Sequence, residues 1–309
     1  MNGTGRIAAI GLLWVGATCL SGATARAQTA HDTAAPPEPP GASAPAPKGS
    51  LRLAASLVAD GPPVKAAVVW RVFDERPQSD GSHRLVAQST DPEPTFPLPD
   101  GRYVVHATYG FASAMRSVAI AGRAASERLA LNAGALEVNG VLGRNAITPD
   151  KLNLSVFVPD HGNAEAKLVV AGVKPGQVIR LPEGMYHVVS TYLDTVGVGS
   201  LTPVSDTNSV VAADLRVQPG KLVTATVTHK AAVLTLKLVN APGGEALANT
   251  SFTILTQGGD IIRELIGAFP SLVLAEGDYL LIARHDGKTF QTDFKVQAAL
   301  DRDIEVLAK

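Results

Sequence analysis

The side chains able to do chemistry in this chain are histidines, carboxylates and hydroxyls, and their spacing argues against most of the reactions they could serve. His83, His106, His161, His187, His229 and His285 are scattered, with no His-Glu-x-x-His run to bring two imidazoles onto one helix face for zinc. Acyl transfer needs a serine or cysteine presented beside a base. There is no Gly-x-Ser-x-Gly, and the single cysteine, Cys19, lies in an N-terminal segment expected to be removed. No phosphate-cradling glycine loop occurs, and Gly258-Gly259 reads as a hairpin turn. Asp206-Thr207-Asn208 and Asp301-Arg302-Asp303 are the compact oxygen-ligand candidates for calcium; both fall short of the several carboxylates a tight site takes and read as polar turns. The expectation is no catalytic residue, no cofactor and no metal.

Asp100, Glu183 and Glu276 form a set of another kind, because each precedes a glycine and a tyrosine in a recurring phrase. FPLPDGRY (Phe96 to Tyr103), IRLPEGMY (Ile179 to Tyr186) and LVLAEGDY (Leu272 to Tyr279) share apolar-x-Leu-(Pro/Ala)-acid-Gly-x-Tyr. One acid per copy is a turn residue, not half of an acid–base pair. After each tyrosine, residues alternate with period two, which implies a strand with one buried face. A tyrosine at a strand start that returns its hydroxyl to nearby backbone is a tyrosine corner, and Tyr103, Tyr186 and Tyr279 are expected in that role. Gly101, Gly184 and Gly277 are expected to supply a tight or positive-φ conformation before it.

The elements that must carry these corners are short strands separated by Gly, Pro and Asp turns, with no sustained helical periodicity. Strand pairs precede each corner at Ala67 to Phe73 with Leu85 to Ser89, Leu152 to Val158 with Lys167 to Gly172, and Phe252 to Thr256 with Ile261 to Ile266. Corner tyrosine and next apolar strand marker are 17 residues apart in the first copy, 31 in the second and 17 in the third. The middle copy thus carries an insertion, roughly Asp194 to Val210, where the others turn at Gly110 and at Asp286-Gly287. Trp70 is expected in the core, His106 and His187 on the solvent side, and Tyr109 and Tyr192 partly exposed.

The fold expected is all-β: three tandem Greek-key sandwiches after a signal peptide and a disordered Pro/Ala-rich linker. The boundaries read as 1–27 signal peptide, 28–49 linker, and sandwiches at 50–134, 135–230 and 231–309. Arg6, the apolar run Ile7 to Leu20 and Ala25-Arg26-Ala27 have the layout of an export signal cleaved after Ala27, with an uncleaved anchor or a lipoprotein signal at Cys19 as alternatives. The prolines at 36, 37, 39, 40, 45 and 47, with few large apolar side chains, give the linker its solvated character. With 27 Lys plus Arg against 28 Asp plus Glu, the chain lacks the basic field that nucleic acid or anionic lipid needs.

The Leu-x-x-Gly-x-Tyr units resemble the immunoglobulin-like or transthyretin-like (carboxypeptidase regulatory-like) sandwiches of exported bacterial proteins. LPDGRYVVHATYG and SERLALNAGAL are also similar to tandem sandwiches that accompany von Willebrand factor A domains, without the Asp-x-Ser-x-Ser metal site of that domain. The resemblance implies a fold and no activity. The functional expectation is an exported, periplasmic or secreted, non-catalytic module that binds or scaffolds another envelope protein, with no transmembrane span in the mature chain. The candidate recognition loop is the insertion, with Asp194, Thr195, Leu201, Asp206 and Asn208. The alternatives are a small-ligand or glycan-binding accessory protein, or an enzyme with its site in an inter-domain groove.

Overall fold

The computed structural model describes residues 49–66, 68–194 and 205–309, without the side chains of Ser205 and Asp206. The export signal and nearly all of the linker lie outside the described residues. From Gly49 onward the chain builds three sandwiches in succession, with seven strands in the first and third and an added two-residue strand in the second. The first uses β1 (Gly49–Ser56), β2 (Val69–Pro77), β3 (His83–Ser89), β4 (Thr95–Leu98), β5 (Gly101–Tyr109), β6 (Ala112–Ile120) and β7 (Ala125–Ala130). The second uses β8 (Ala133–Leu142) with the two-residue β9 (Asn145–Ala146), then β10 (Leu152–Asp160), β11 (Asn163–Val173), β12 (Ile179–Pro182), β13 (Gly184–Asp194), β14 (Ser205–Val217) and β15 (Leu222–His229). The third uses β16 (Ala231–Val239), β17 (Thr250–Thr256), β18 (Ile261–Gly267), β19 (Ser271–Ala275), β20 (Gly277–His285), β21 (Lys288–Val296) and β22 (Arg302–Leu307).

Each sandwich packs a sheet of three main strands on a four-stranded one, in the orders β4-β1-β7 on β3-β2-β5-β6, β12-β8-β15 (with β9 beside β8) on β11-β10-β13-β14, and β19-β16-β22 on β18-β17-β20-β21. Labelled A to G along each unit, this is D-A-G on C-B-E-F, with the first strand parallel to the last. An immunoglobulin constant domain shares the sandwich but orders its strands ABED and CFG.

Alternation along the strands explains the burial. In β5, Tyr103, Val105 and Ala107 face inward; in β20, Tyr279, Leu281 and Ala283 do the same. Trp70 is fully buried in the first core, with its indole N–H donated to the Asp91 carbonyl. The cores overlap at their ends. Ala133 opens β8 but packs into the first core, and Ala231 and Val273 of the third sandwich pack into the second. Gly49, read as linker, already belongs to β1: a Cβ there would sit 2.4 Å from the Ile120 side chain, so its lack of a side chain lets the strand close against β6.

Candidate functional site

Part-buried polar contacts of the described residues mark the three corners and the two junctions between sandwiches. At each corner the tyrosine hydroxyl donates to the backbone carbonyl four residues upstream: Tyr103 to Pro99 at 2.9 Å, Tyr186 to Pro182 at 3.0 Å and Tyr279 to Ala275 at 2.9 Å. The preceding strand lies in one sheet and the tyrosine's strand in the other, so the bond ties the arch between sheets. Gly101, Gly184 and Gly277 do not adopt positive φ. What they provide is room, because a Cβ at Gly101 or Gly277 would lie within 3.4 Å of the tyrosine ring. Asp100 is a turn acid whose carboxylate accepts the Gly122 N–H at 2.6 Å.

The first junction is a short hairpin docked on an edge strand. Between β5 and β6 the chain turns at Gly110 (φ +65°), and Phe111 donates its N–H to the Arg180 carbonyl on β12 at 2.9 Å. The Arg180 guanidinium lies 4.7 Å over the Tyr109 ring, a cation–π contact. Gly110 is required here: a Cβ would come within 2.6 Å of the Arg180 Cβ and 2.8 Å of its carbonyl oxygen.

The second junction puts the insertion to use. The β13–β14 hairpin runs past the sandwich, pairing Leu193 with Asp206 and Asp194 with Ser205, and lies against β19. Asp194 is buried; its carboxylate takes the Arg263 guanidinium at 2.6 Å and the Val273 N–H at 3.1 Å. Burial raises its pKa, with the Val273 amide and Arg263 opposing the shift. Asn208 accepts the Ala275 N–H at 2.8 Å and donates to the Tyr279 hydroxyl at 2.9 Å, so the second sandwich caps the corner of the third. Thr207, Asn208, Ile262, Arg263, Val273 and Leu274 line a pocket of ≈ 330 Å³ beside this contact.

Behind it lies a cluster the sequence reading missed. His229, fully buried at the end of β15, has Nε2 2.8 Å from the Ser190 hydroxyl and Nδ1 3.0 Å from the Ser209 hydroxyl. Desolvation by burial lowers its pKa, which favours the neutral imidazole. Both serines are buried as well, so the group is a satisfied internal network, closed to substrate. Ser190 was the available signal: it occupies an inward position in the series Tyr186, Val188, Ser190 and Tyr192, where an aliphatic residue belongs, and a buried hydroxyl needs a partner.

Asp194 and Asn208, two of the candidate recognition-loop residues, make hydrogen bonds to the third sandwich. Thr195 and Leu201 lie outside the described residues, as does the Asp206 side chain. Tyr192, expected partly exposed, is 5% exposed and lies beside His229. His187 points away from the core yet is only 13% exposed, 2.7 Å from Asp214. Asp301 accepts the Val233 N–H and Asp303 pairs with Lys237. Among the described residues no group of three His, Cys, Asp or Glu is placed to hold a metal, and no helix is long and apolar enough to cross a membrane.

Residues 233–308 match the model of the Rhizobiales growth-associated tandem repeat domain. No curated protein matches the chain. Among solved structures it is similar to the Bacillus anthracis TIE protein at 18% identity and TM-score 0.25, covering 84% of this chain and 50% of that one. A minor pilin of Streptococcus agalactiae matches at 13% and 0.29, covering 59% and 95%. The major pilin subunit of Bacillus cereus matches at 12% and 0.24, covering 84% and 99%. The chain thus spans half the length of the TIE protein.

Proposed function

We propose that the protein is an exported, non-catalytic tandem sandwich that serves as a binding or scaffolding arm in the cell envelope. The observation that carries this reading is the junction between the second and third sandwiches. There the groups most able to do chemistry, Asp194, Arg263, Asn208 and Tyr279, are taken up in holding one unit to the next. A chain whose buried polar chemistry fixes relative orientation suits presentation of surfaces at defined spacing, and loops on such a scaffold are where recognition resides. The export-type N-terminus supports placement in the periplasm or outside the cell.

The segment between β13 and β14, residues 195–204, is the proposed contact for an envelope protein partner. The test is crosslinking mass spectrometry on the tagged protein in its native envelope, comparing wild type with a deletion of 195–204 that keeps Asp194 and Asn208. A stoichiometric protein crosslink present in wild type and lost in the deletion supports the reading; a partner indifferent to the deletion, or none, rejects this segment as the contact. A second reading, a small ligand at the inter-domain pocket, is favoured by the partly exposed Arg263 in its wall. A ligand-dependent thermal shift abolished by Ile262→Trp would support that reading instead.

A further inference from the structure

The two junctions are underlain by equivalent positions filled with different chemistry. Counted from the corner tyrosines, Ala107 on β5 corresponds to Ser190 on β13. Ala112 lies one residue before Ser113, the partner of Thr108, as Ser209 lies one before Val210, the partner of Thr191. Leu131 and His229 each stand two residues before the alanine that opens the next sandwich, Ala133 or Ala231. All six are buried. The apolar trio at the first junction, part of one core, is thus replaced at the second by a hydrogen-bonded polar trio.

The polar trio sits where the second sandwich grips the third. Ser209 is next to Asn208, which holds the Ala275 N–H and the Tyr279 hydroxyl, and Ser190 lies four residues before Asp194 on the same strand. Ala231 and Val273 of the third sandwich cover this end of the second core. Asp301 of the third sandwich bears on Tyr192, whose ring lies 5.9 Å from that of His229. We propose that this junction is a pH-responsive joint: when His229 takes up a proton, the third sandwich comes away from the second while both stay folded and the first junction holds.

Both ring nitrogens of His229 are taken by hydroxyls. The neutral ring donates to one serine and accepts from the other, whereas the imidazolium donates from both nitrogens, so the serine that gave its proton must turn away. A buried ion with no carboxylate bonded to it is costly. The charged groups at this end act elsewhere, Asp301, Asp194 and Asp150 on Tyr192, and Arg263 and Lys151 on Asp194. For His229 desolvation is the largest influence, opposed by Ser209. Undocking lets water reach the ring and returns it toward 6.5, so the undocked form holds the proton more tightly and acid favours it. Asp194 has the opposite sign. Burial raises its pKa in the docked form, so acid favours docking once pH nears that raised value. Opening is expected on the way down from 6.5, ahead of that reversal.

The first sandwich supplies the substitutions that remove the response, because Ser190→Ala, Ser209→Ala and His229→Leu copy its apolar trio. In the full chain with Cys19→Ser, dyes on the exposed positions of Glu165→Cys and Thr289→Cys report energy transfer across the second junction, and dyes on Ser82→Cys and Glu165→Cys report the first. From pH 7.5 to 5, transfer across the second junction should fall reversibly, with transfer across the first and far-ultraviolet circular dichroism unchanged. The apolar-trio variant should hold its transfer throughout, as should His229→Gln, which keeps a neutral partner for the serines. The inference is overturned if transfer across the second junction stays constant in the otherwise wild-type chain, or if both junctions open together. It is equally overturned if circular dichroism is lost in step with the transfer, or if either variant, folded by circular dichroism, opens as the wild type does.

Discussion

The carboxylate of Asp194, buried at the end of β13, accepts the main-chain N–H of Val273 on β19, 79 residues further along the chain. With Arg263 on the same oxygen, this acid holds two sandwiches through one contact. Removing one partner of a buried pair leaves the other uncompensated and typically costs ~3–5 kcal/mol. Asp194→Ala should therefore lower stability by about that amount in urea unfolding, and the second and third sandwiches should then melt separately. Asp194→Asn keeps an acceptor for Val273 and should lose less.

The three corner tyrosines are equivalent in sequence but differ in what rests on them. Tyr103 and Tyr186 each make one hydroxyl bond upstream, whereas Tyr279 also accepts one from Asn208. A net hydrogen bond contributes about 1 kcal/mol, and a buried group left unsatisfied costs roughly 1–3 kcal/mol. Tyr279→Phe should thus destabilise more than Tyr103→Phe, and the excess should vanish in an Asn208→Ala background. A double-mutant cycle by thermal unfolding measures the coupling.

His229 predicts loss of stability on acidification. Its folded pKa lies below the 6.5 expected when unfolded, so between those values the unfolded state binds more protons and unfolding free energy falls as pH falls. Asp194 acts with the opposite sign at lower pH. Its folded pKa is raised above 3.8, so its contribution improves as pH drops through that raised value. Unfolding at a series of pH values from 7.5 to 5 should show a decline that His229→Gln reduces, since a neutral amide can meet the Ser190 and Ser209 hydroxyls without titrating.

Gly110→Ala should weaken the first junction alone. The added methyl meets Arg180 at 2.6 Å, in a backbone conformation that disfavours any side chain. The expected result is faster proteolysis between the first and second sandwiches with the third unaffected. Gly287→Ala, at a turn with open space around its Cα, should show only the smaller conformational cost.

What the sequence disclosed and what it hid divide along a physical line. Strands, corners and the extended middle hairpin were legible because period-two burial and the acid-Gly-x-Tyr phrase are local and occur three times. Trp70 was legible as core because an indole in an alternating strand has few other places to go. The role of Asp194 was not, since an aspartate beside an insertion looks the same whether it meets solvent or Arg263 sixty-nine residues away. His229 was hidden for the same reason, its partners Ser190 and Ser209 being 39 and 20 positions distant. Tyr192 was misjudged because a single strand cannot reveal that the next unit covers its end.

In every sandwich the first and last strands run side by side in the same direction, as β16 and β22 do from Leu234 beside Arg302 to Val239 beside Leu307. A pull on the two ends of such a unit drags these neighbours past one another lengthwise. The whole ladder of backbone bonds must then yield together, where an antiparallel terminal pair would peel apart one bond at a time. Joined in series, three units with this geometry make a tether that resists stretching along its length.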